Sequence, residues 1–257
     1  EDDEEDEEDG RARTAAKVLS DLAPERFVKS GSAALQAAGH QMLEFDVDGD
    51  GTRELIAPSW QGDVHVLSPD GQRVRKVRLA GISGAVSMNS FRPLKLAGET
   101  AWLATYASYS SSGTARAAAA LFDAKGKRLW RYQLPRARRM NVNMSADAGD
   151  LTGDGVPEAV IGVTLMGMSG GRTQRGYVVV LNAQGEPQAC KRIGQSVEIV
   201  RVTPPDAQGR GMILAFGGGR MQRLQYDPAA TSQPTSKPAD EEDEEDEELE
   251  VEDDEEE

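Results

Sequence analysis

From residue 42 to residue 226 the chain is a series of short apolar runs that alternate with polar positions, broken by small or polar residues followed by Gly. Alternation with a period of two, bounded by turn residues, predicts strands rather than helices. Val64–Leu67 leads through Ser68, Pro69 and Asp70 to Gly71, and a second run follows at 73–79. The same order returns at 118–122, Gly126 and 127–134, and again at 177–181, Gly185 and 188–193. A fourth, shortened copy is 220–226, with no second arm after Asp227 and Pro228. Each hairpin is preceded by a strand candidate, at 54–59, 100–106, 158–164 and 212–216. Upstream of each of those lies one more, at 42–45, 91–96, 141–146 and 197–202.

The chain is therefore read as one supersecondary unit used four times. Repeats of strand, loop, strand and hairpin match the blades of a β-propeller. The three Gly turns at 71, 126 and 185 space the units somewhat wider than the ~40–50 residues of common blades, with the excess in Ser/Gly-rich inserts at 108–114 and 166–176. The predicted fold is all-β: a small propeller of about four four-stranded blades, flanked by disordered acidic tails. The last unit lacks its outer strand. Unpaired sheet edges are a liability, so part of residues 26–37 is expected to supply that strand.

Charge changes the picture at the two ends. The formal net charge is -15, yet 25 of the 44 acids lie in residues 1–10 and 240–257, which hold no base. The remaining 19 acids face all 29 bases, so the body is cationic. Runs of like charge with almost no apolar residue cannot form a core. The expected organisation is an acidic tail at 1–10, a short helix or linker at 11–25 and the propeller at 26–229. A Pro/Ser/Thr linker at 230–239 and an acidic tail at 240–257 complete it. With no initiator Met and no charged-then-apolar leader at its start, the chain is expected to be a mature form or an excised fragment.

No uncharged run approaches the ~20 apolar residues of a spanning helix, so no membrane span is expected. Cys190 is the single cysteine, which excludes an internal disulfide, and nothing around it has zinc spacing. The two histidines, His40 and His65, stand in no Ser/His/Asp order, and Gly217-Gly218-Gly219 is not followed by a helix pattern. A catalytic role is therefore not expected. Basic clusters occur at Arg73/Arg75/Lys76/Arg78, Lys125/Lys127/Arg128/Arg131 and Arg136/Arg138/Arg139. They read first as the solvated, edge-protecting face of outer strands. Scarce aromatics and the competing acidic tails argue against nucleic acid.

Two repeats open with an acidic loop, Asp46-Val-Asp48-Gly-Asp50-Gly51-Thr52-Arg-Glu54 and Asp150-Leu-Thr152-Gly-Asp154-Gly155-Val156-Pro-Glu158. Hard cations such as Ca²⁺ take six to eight oxygens in flexible geometry. Oxygens at loop positions one, three, five and nine can converge, with the carbonyl of Thr52 or Val156 adding another. The first loop offers four carboxylates and the second three plus the Thr152 hydroxyl, so the first is expected to bind more tightly. The alternative for each is an Asx/Gly turn that never fills with metal.

These loops, each followed by a short apolar strand, resemble the FG-GAP/VCBS type of β-propeller repeat, with some quinoprotein-like character in the hairpins. The resemblance covers roughly residues 42–227. It implies a propeller fold and Ca²⁺ held by Asp46, Asp48, Asp50 and Glu54, and by Asp150, Thr152, Asp154 and Glu158. It also implies an extracellular, cell-surface or periplasmic location. The sequences at 96–99 and 204–209 depart from the loop pattern, so the second and fourth repeats are not expected to hold metal. The function expected is a non-catalytic, calcium-stabilised binding or scaffold module, with an unidentified protein or carbohydrate ligand. The alternatives are an accessory propeller domain of a larger enzyme, quinoprotein-like or polymer-degrading, and a polyanion-binding module masked by the acidic tails.

Overall fold

The structure is a computed structural model and describes residues 42–230, apart from 60, 70–72, 83–85, 110–113, 136, 139, 168–173 and 195. The short helix or linker expected at 11–25, the closing strand at 26–37, His40, the Asp70–Gly71 turn and both acidic tails lie outside the described residues. Every element described is a strand. No helix of the described residues is long and apolar enough to cross a membrane.

Four antiparallel sheets follow one another along the chain, each with its strands in sequence order. The first holds β1 (Leu43–Phe45), β2 (Glu54–Pro58), β3 (Asp63–Leu67) and β4 (Arg73–Arg78). The second holds β5 (Val86–Leu96), β6 (Glu99–Tyr109), β7 (Thr114–Asp123) and β8 (Arg128–Gln133), with a two-residue β9 (Ala137–Arg138) pairing β7 beyond the end of β8. The third is β10 (Met140–Gly149), β11 (Glu158–Gly167), β12 (Gln174–Leu181) and β13 (Pro187–Gly194). The fourth has three strands, β14 (Ile199–Val202), β15 (Ile213–Gly217) and β16 (Arg220–Leu224). These are the four blades of a small β-propeller. Every strand expected from the apolar pattern is present. β9 was not anticipated, because two residues are too few to show a period.

Three apolar cores join successive blades face to face. Ile56, Val64, Phe91, Trp102 and Phe122 fill the space between blades 1 and 2, where the rings of Phe91 and Trp102 stack with centroids 5.7 Å apart. Leu103, Leu121, Met144, Ile161 and Leu181 join blades 2 and 3. Leu151, Val160, Val180, Val200 and Ile213 join blades 3 and 4. Strands at the middle of a blade therefore bury both faces, and β6 and β11 are buried along most of their length. Outer strands bury little, and β8 and β13 carry their charges in solvent. Packing between blades is tight: a Cβ on Gly162 of β11 would lie 2.6 Å from Val197 and 2.7 Å from Ser145.

Hydrogen bonds also cross between blades. Ser90 Oγ of blade 2 accepts from the Ala146 amide of blade 3 at 3.1 Å. Ser145 Oγ accepts from the Val200 amide of blade 4 at the same distance. The hairpin turns share one construction. The side-chain oxygens of Asp123, Asn182 and Asp206 each accept from the amides two and four residues on. Gly126, Gly185 and Gly209 take the positive φ that closes each turn.

One compact unit ends at Tyr226. The described part of the second unit, 227–230, is a turn in which the Ala229 amide donates to Asp227 Oδ1 at 2.9 Å.

Candidate metal centre

Both acidic loops join the first strand of a blade to its second, 46–53 between β1 and β2 and 150–157 between β10 and β11. Their backbones are held by the same hydrogen bonds. In the first, the Gly49 amide donates to Asp46 Oδ1 at 2.6 Å and the Gly51 amide to Asp46 Oδ2 at 3.1 Å. In the second, the Gly153 and Gly155 amides donate to Asp150 Oδ1 and Oδ2, both at 2.7 Å. The Thr52 amide donates to Asp50 Oδ1 at 2.6 Å, and the Val156 amide to Asp154 Oδ1 at 2.8 Å. Four glycines at positive φ, Gly49, Gly51, Gly153 and Gly155, make the reversal possible.

The ninth residue of each loop has a role that the spacing alone did not show. Glu54 Oε2 accepts from the Val47 amide at 2.8 Å, and Glu158 Oε2 accepts from the Leu151 amide at 2.8 Å. Each carboxylate latches the start of its loop to the strand that follows. Glu158 is buried. Burial pushes its carboxyl above the ordinary value of 4.5; the Leu151 amide opposes this, and the charges of Asp154 and Asp150 add to it. Asp150 moves the other way. Slight burial would raise it, but the amides of Gly153, Gly155, Thr152 and Asp154 outweigh that and lower it below 3.8.

The loops differ in what converges. Ligand oxygens of Asp46, Asp48 and Asp50 all lie within 4.8 Å of one another. Oxygens at 2.3–2.6 Å from a shared ion lie at most about 5 Å apart, so this set fits a hard cation. The second loop has the Thr152 hydroxyl where Asp48 stands, and that hydroxyl leans on Asp150 Oδ1 at 3.4 Å. It forms no group of three carboxylates among the described residues. The departures at the other two blades are plain turns. Ala97 and Gly98 reverse the chain with φ of 50° and 84°, and Asp206–Gly209 uses the hairpin construction above.

Other residues singled out from the sequence have structural places. His65 is buried in β3, opposite Ala57 and Lys76. Lys76 and Arg78 of the first basic cluster close on Asp63 at 2.7 and 2.9 Å. Arg128 and Arg131 lie exposed on the outer strand β8.

No protein-family model matches the chain, and no curated protein matches it. Solved structures give remote likenesses. BBS1N, solved in complex with ARL6DN, has 12% identity and a TM-score of 0.45, over 76% of this chain and 56% of that one. The β-propeller domain of Vanderwaltozyma polyspora Nup133 has 10% identity and a TM-score of 0.45, over 72% and 55%. BamB from Moraxella catarrhalis has 15% identity and a TM-score of 0.38, over 76% and 62%. The chain thus spans between half and two thirds of the length of each of these β-propeller proteins.

Proposed function

We propose that this chain is a non-catalytic, calcium-stabilised β-propeller module of an exported or cell-surface protein. Its rigid blades present loops to a protein or carbohydrate ligand. The observation that carries the reading is the convergence of Asp46, Asp48 and Asp50 at the mouth of blade 1. Support comes from the second loop, which repeats the same backbone at the same place in blade 3. A cation there would neutralise three carboxylates that otherwise repel, and would tie β1 to β2. Glu54 and Glu158 serve this reading by fixing the loops before the ion arrives.

The test is the unfolding midpoint of the full chain in millimolar Ca²⁺ and in chelator, beside Asp48→Ala. A ligand at a hundredfold excess over its dissociation constant stabilises by about 2.7 kcal/mol. The acidic tails are common to both proteins, so the difference between them isolates the loop. A calcium shift that survives Asp48→Ala undiminished would end the metal reading of that loop.

A further inference from the structure

Arg92 departs from a rule that most of the fold keeps. Buried polar groups nearly always have hydrogen-bond partners, and an exception asks for an explanation. The Arg92 side chain is 17% exposed, and its Nε is buried without a hydrogen-bond partner. The Asp147 carboxylate faces it, but Nε and Oδ1 stand 3.8 Å apart, too long for a hydrogen bond. Asp147 is already engaged with backbone. Its Oδ2 accepts from the Val202 amide and its Oδ1 from the Ala148 amide, both at 3.0 Å.

A second cation shares this region. Arg201 of β14 donates from Nη1 to the Val200 carbonyl at 2.7 Å. The Arg92 guanidinium is held below its ordinary pKa, first by burial and then by the charge of Arg201, with Asp147 opposing. Arg92 therefore feels one carboxylate and one further guanidinium, and the cluster of two cations and one anion carries an excess positive charge where Arg92 and Asp147 are largely desolvated.

The cluster follows from the repeat. Ser90 and Ser145 are equivalent, since each caps an amide on the inner strand of the next blade. Two residues further along each inner strand stand Arg92 and Asp147, and Arg201 holds the same place in blade 4. Their cross-strand partners agree: Arg92 lies opposite Leu103, Asp147 opposite Val160 and Arg201 opposite Leu214. Three successive inner strands thus present Arg, Asp and Arg at one level.

We infer that the inner strands of blades 2, 3 and 4 form an oxyanion site, in which Arg92 and Arg201 contact a carboxylate or phosphate group and the Asp147 carboxylate competes with it. A guanidinium offers a planar fork of donors that matches such a group. A bound oxyanion would accept from the exposed part of the Arg92 fork and from Arg201, and would balance the second guanidinium. The ligand chemistry is shared by free phosphate and by acidic polypeptide.

The test follows the Arg92 Nε–H resonance of the full chain by NMR at constant ionic strength. One arm adds inorganic phosphate, another a glutamate decapeptide, and a third chloride alone. The expected result is a saturable shift with phosphate or the decapeptide and none with chloride; the arm that saturates at lower concentration identifies the source. Arg201→Gln should weaken that binding about tenfold. Asp147→Asn should strengthen it severalfold, because it removes the competing charge while keeping an acceptor for the Val202 amide. Folding of both variants is checked by their melting profiles. If Arg92 ignores both oxyanions, or if Arg201→Gln binds as tightly as the parent, the site does not exist. An Asp147→Asn chain that binds no more tightly would overturn the charge balance on which the site rests.

Discussion

The loops at 46–54 and 150–158 share a backbone and differ in surroundings. A Cβ on Gly49 or Gly51 would meet nothing within 4 Å. The second loop leans on blade 4: the Gly211 amide donates to the Asp150 carbonyl at 2.6 Å, and a Cβ on Gly153 would lie 2.9 Å from the Gln208 carbonyl oxygen. Both loops touch the following blade, since the Val47 carbonyl of the first accepts from Lys95 Nζ and Thr100 Oγ1 of blade 2. The first keeps an open glycine corner with three carboxylates, while the second has a hydroxyl in place of one and packs its Gly153 corner on blade 4. Local sequence can build the same turn twice, while packing decides whether its glycine corner stays open or is covered by the next blade.

The sharpest way to break this comparison is to exchange the residue that separates the loops. Asp48→Thr should abolish most of the calcium-dependent rise in unfolding midpoint, a change of up to about 2.7 kcal/mol at hundredfold excess. Thr152→Asp, made in that background, should restore part of the rise. If calorimetry shows the exchange leaving the calcium response in place, the third loop position does not set affinity.

The two latches should differ next. Removing the acceptor of a buried amide costs about 1–3 kcal/mol. Glu158→Ala leaves the Leu151 amide without its partner where Leu151 is fully buried. Glu54→Ala does the same to the Val47 amide in a more open loop. Chemical denaturation should therefore rank Glu158→Ala as the more damaging, and equal losses would mean that burial is not what separates the loops.

Glycine substitutions read the surroundings more finely. Gly49 and Gly153 have φ of 84° and 85°, so alanine at either strains the backbone by about 1–2 kcal/mol. Only at Gly153 would the new methyl also press on Gln208. Gly153→Ala should melt below Gly49→Ala, and identical midpoints would show that the contact with blade 4 yields freely.

The smallest effect expected is in the acid limb. Asp150 has a lowered folded pKa, so its contribution is present above 3.8 and is lost as pH falls through the lower folded value. Glu158 is raised above 4.5, so its contribution is full below 4.5 and is lost as pH rises through the folded value. Asp150→Asn should flatten the loss of stability below pH 4, and Glu158→Gln should flatten the decline just above pH 4.5. Melting curves across pH 3–6 compare the two, and parallel profiles for parent and both variants would show that neither carboxylate is linked to folding.

Much of the fold was legible because a propeller writes itself locally. Alternation marks strands such as Asp63–Leu67, and Asp or Asn three residues before Gly marks the hairpins at 123 and 182. The acidic loops were legible for the same reason, since every oxygen named lies within nine residues. Glu54 and Glu158 were read as ligands from spacing, and the structure shows that each also accepts a loop amide. Whether the mouth of a loop faces solvent or a neighbouring blade is not encoded in those nine residues, and only packing distinguished the two.

The sequence by itself determined the strands, their order and the reversal of each turn, because each depends on residues a few positions apart. Tertiary structure decided everything that passes between blades. Arg92, Asp147 and Arg201 look like unremarkable inner-strand residues until the blades stack, about 55 residues per repeat, and bring them to one level. Their meaning depends on the dielectric around them and on which amides the neighbouring blade presents, and neither exists before the faces close.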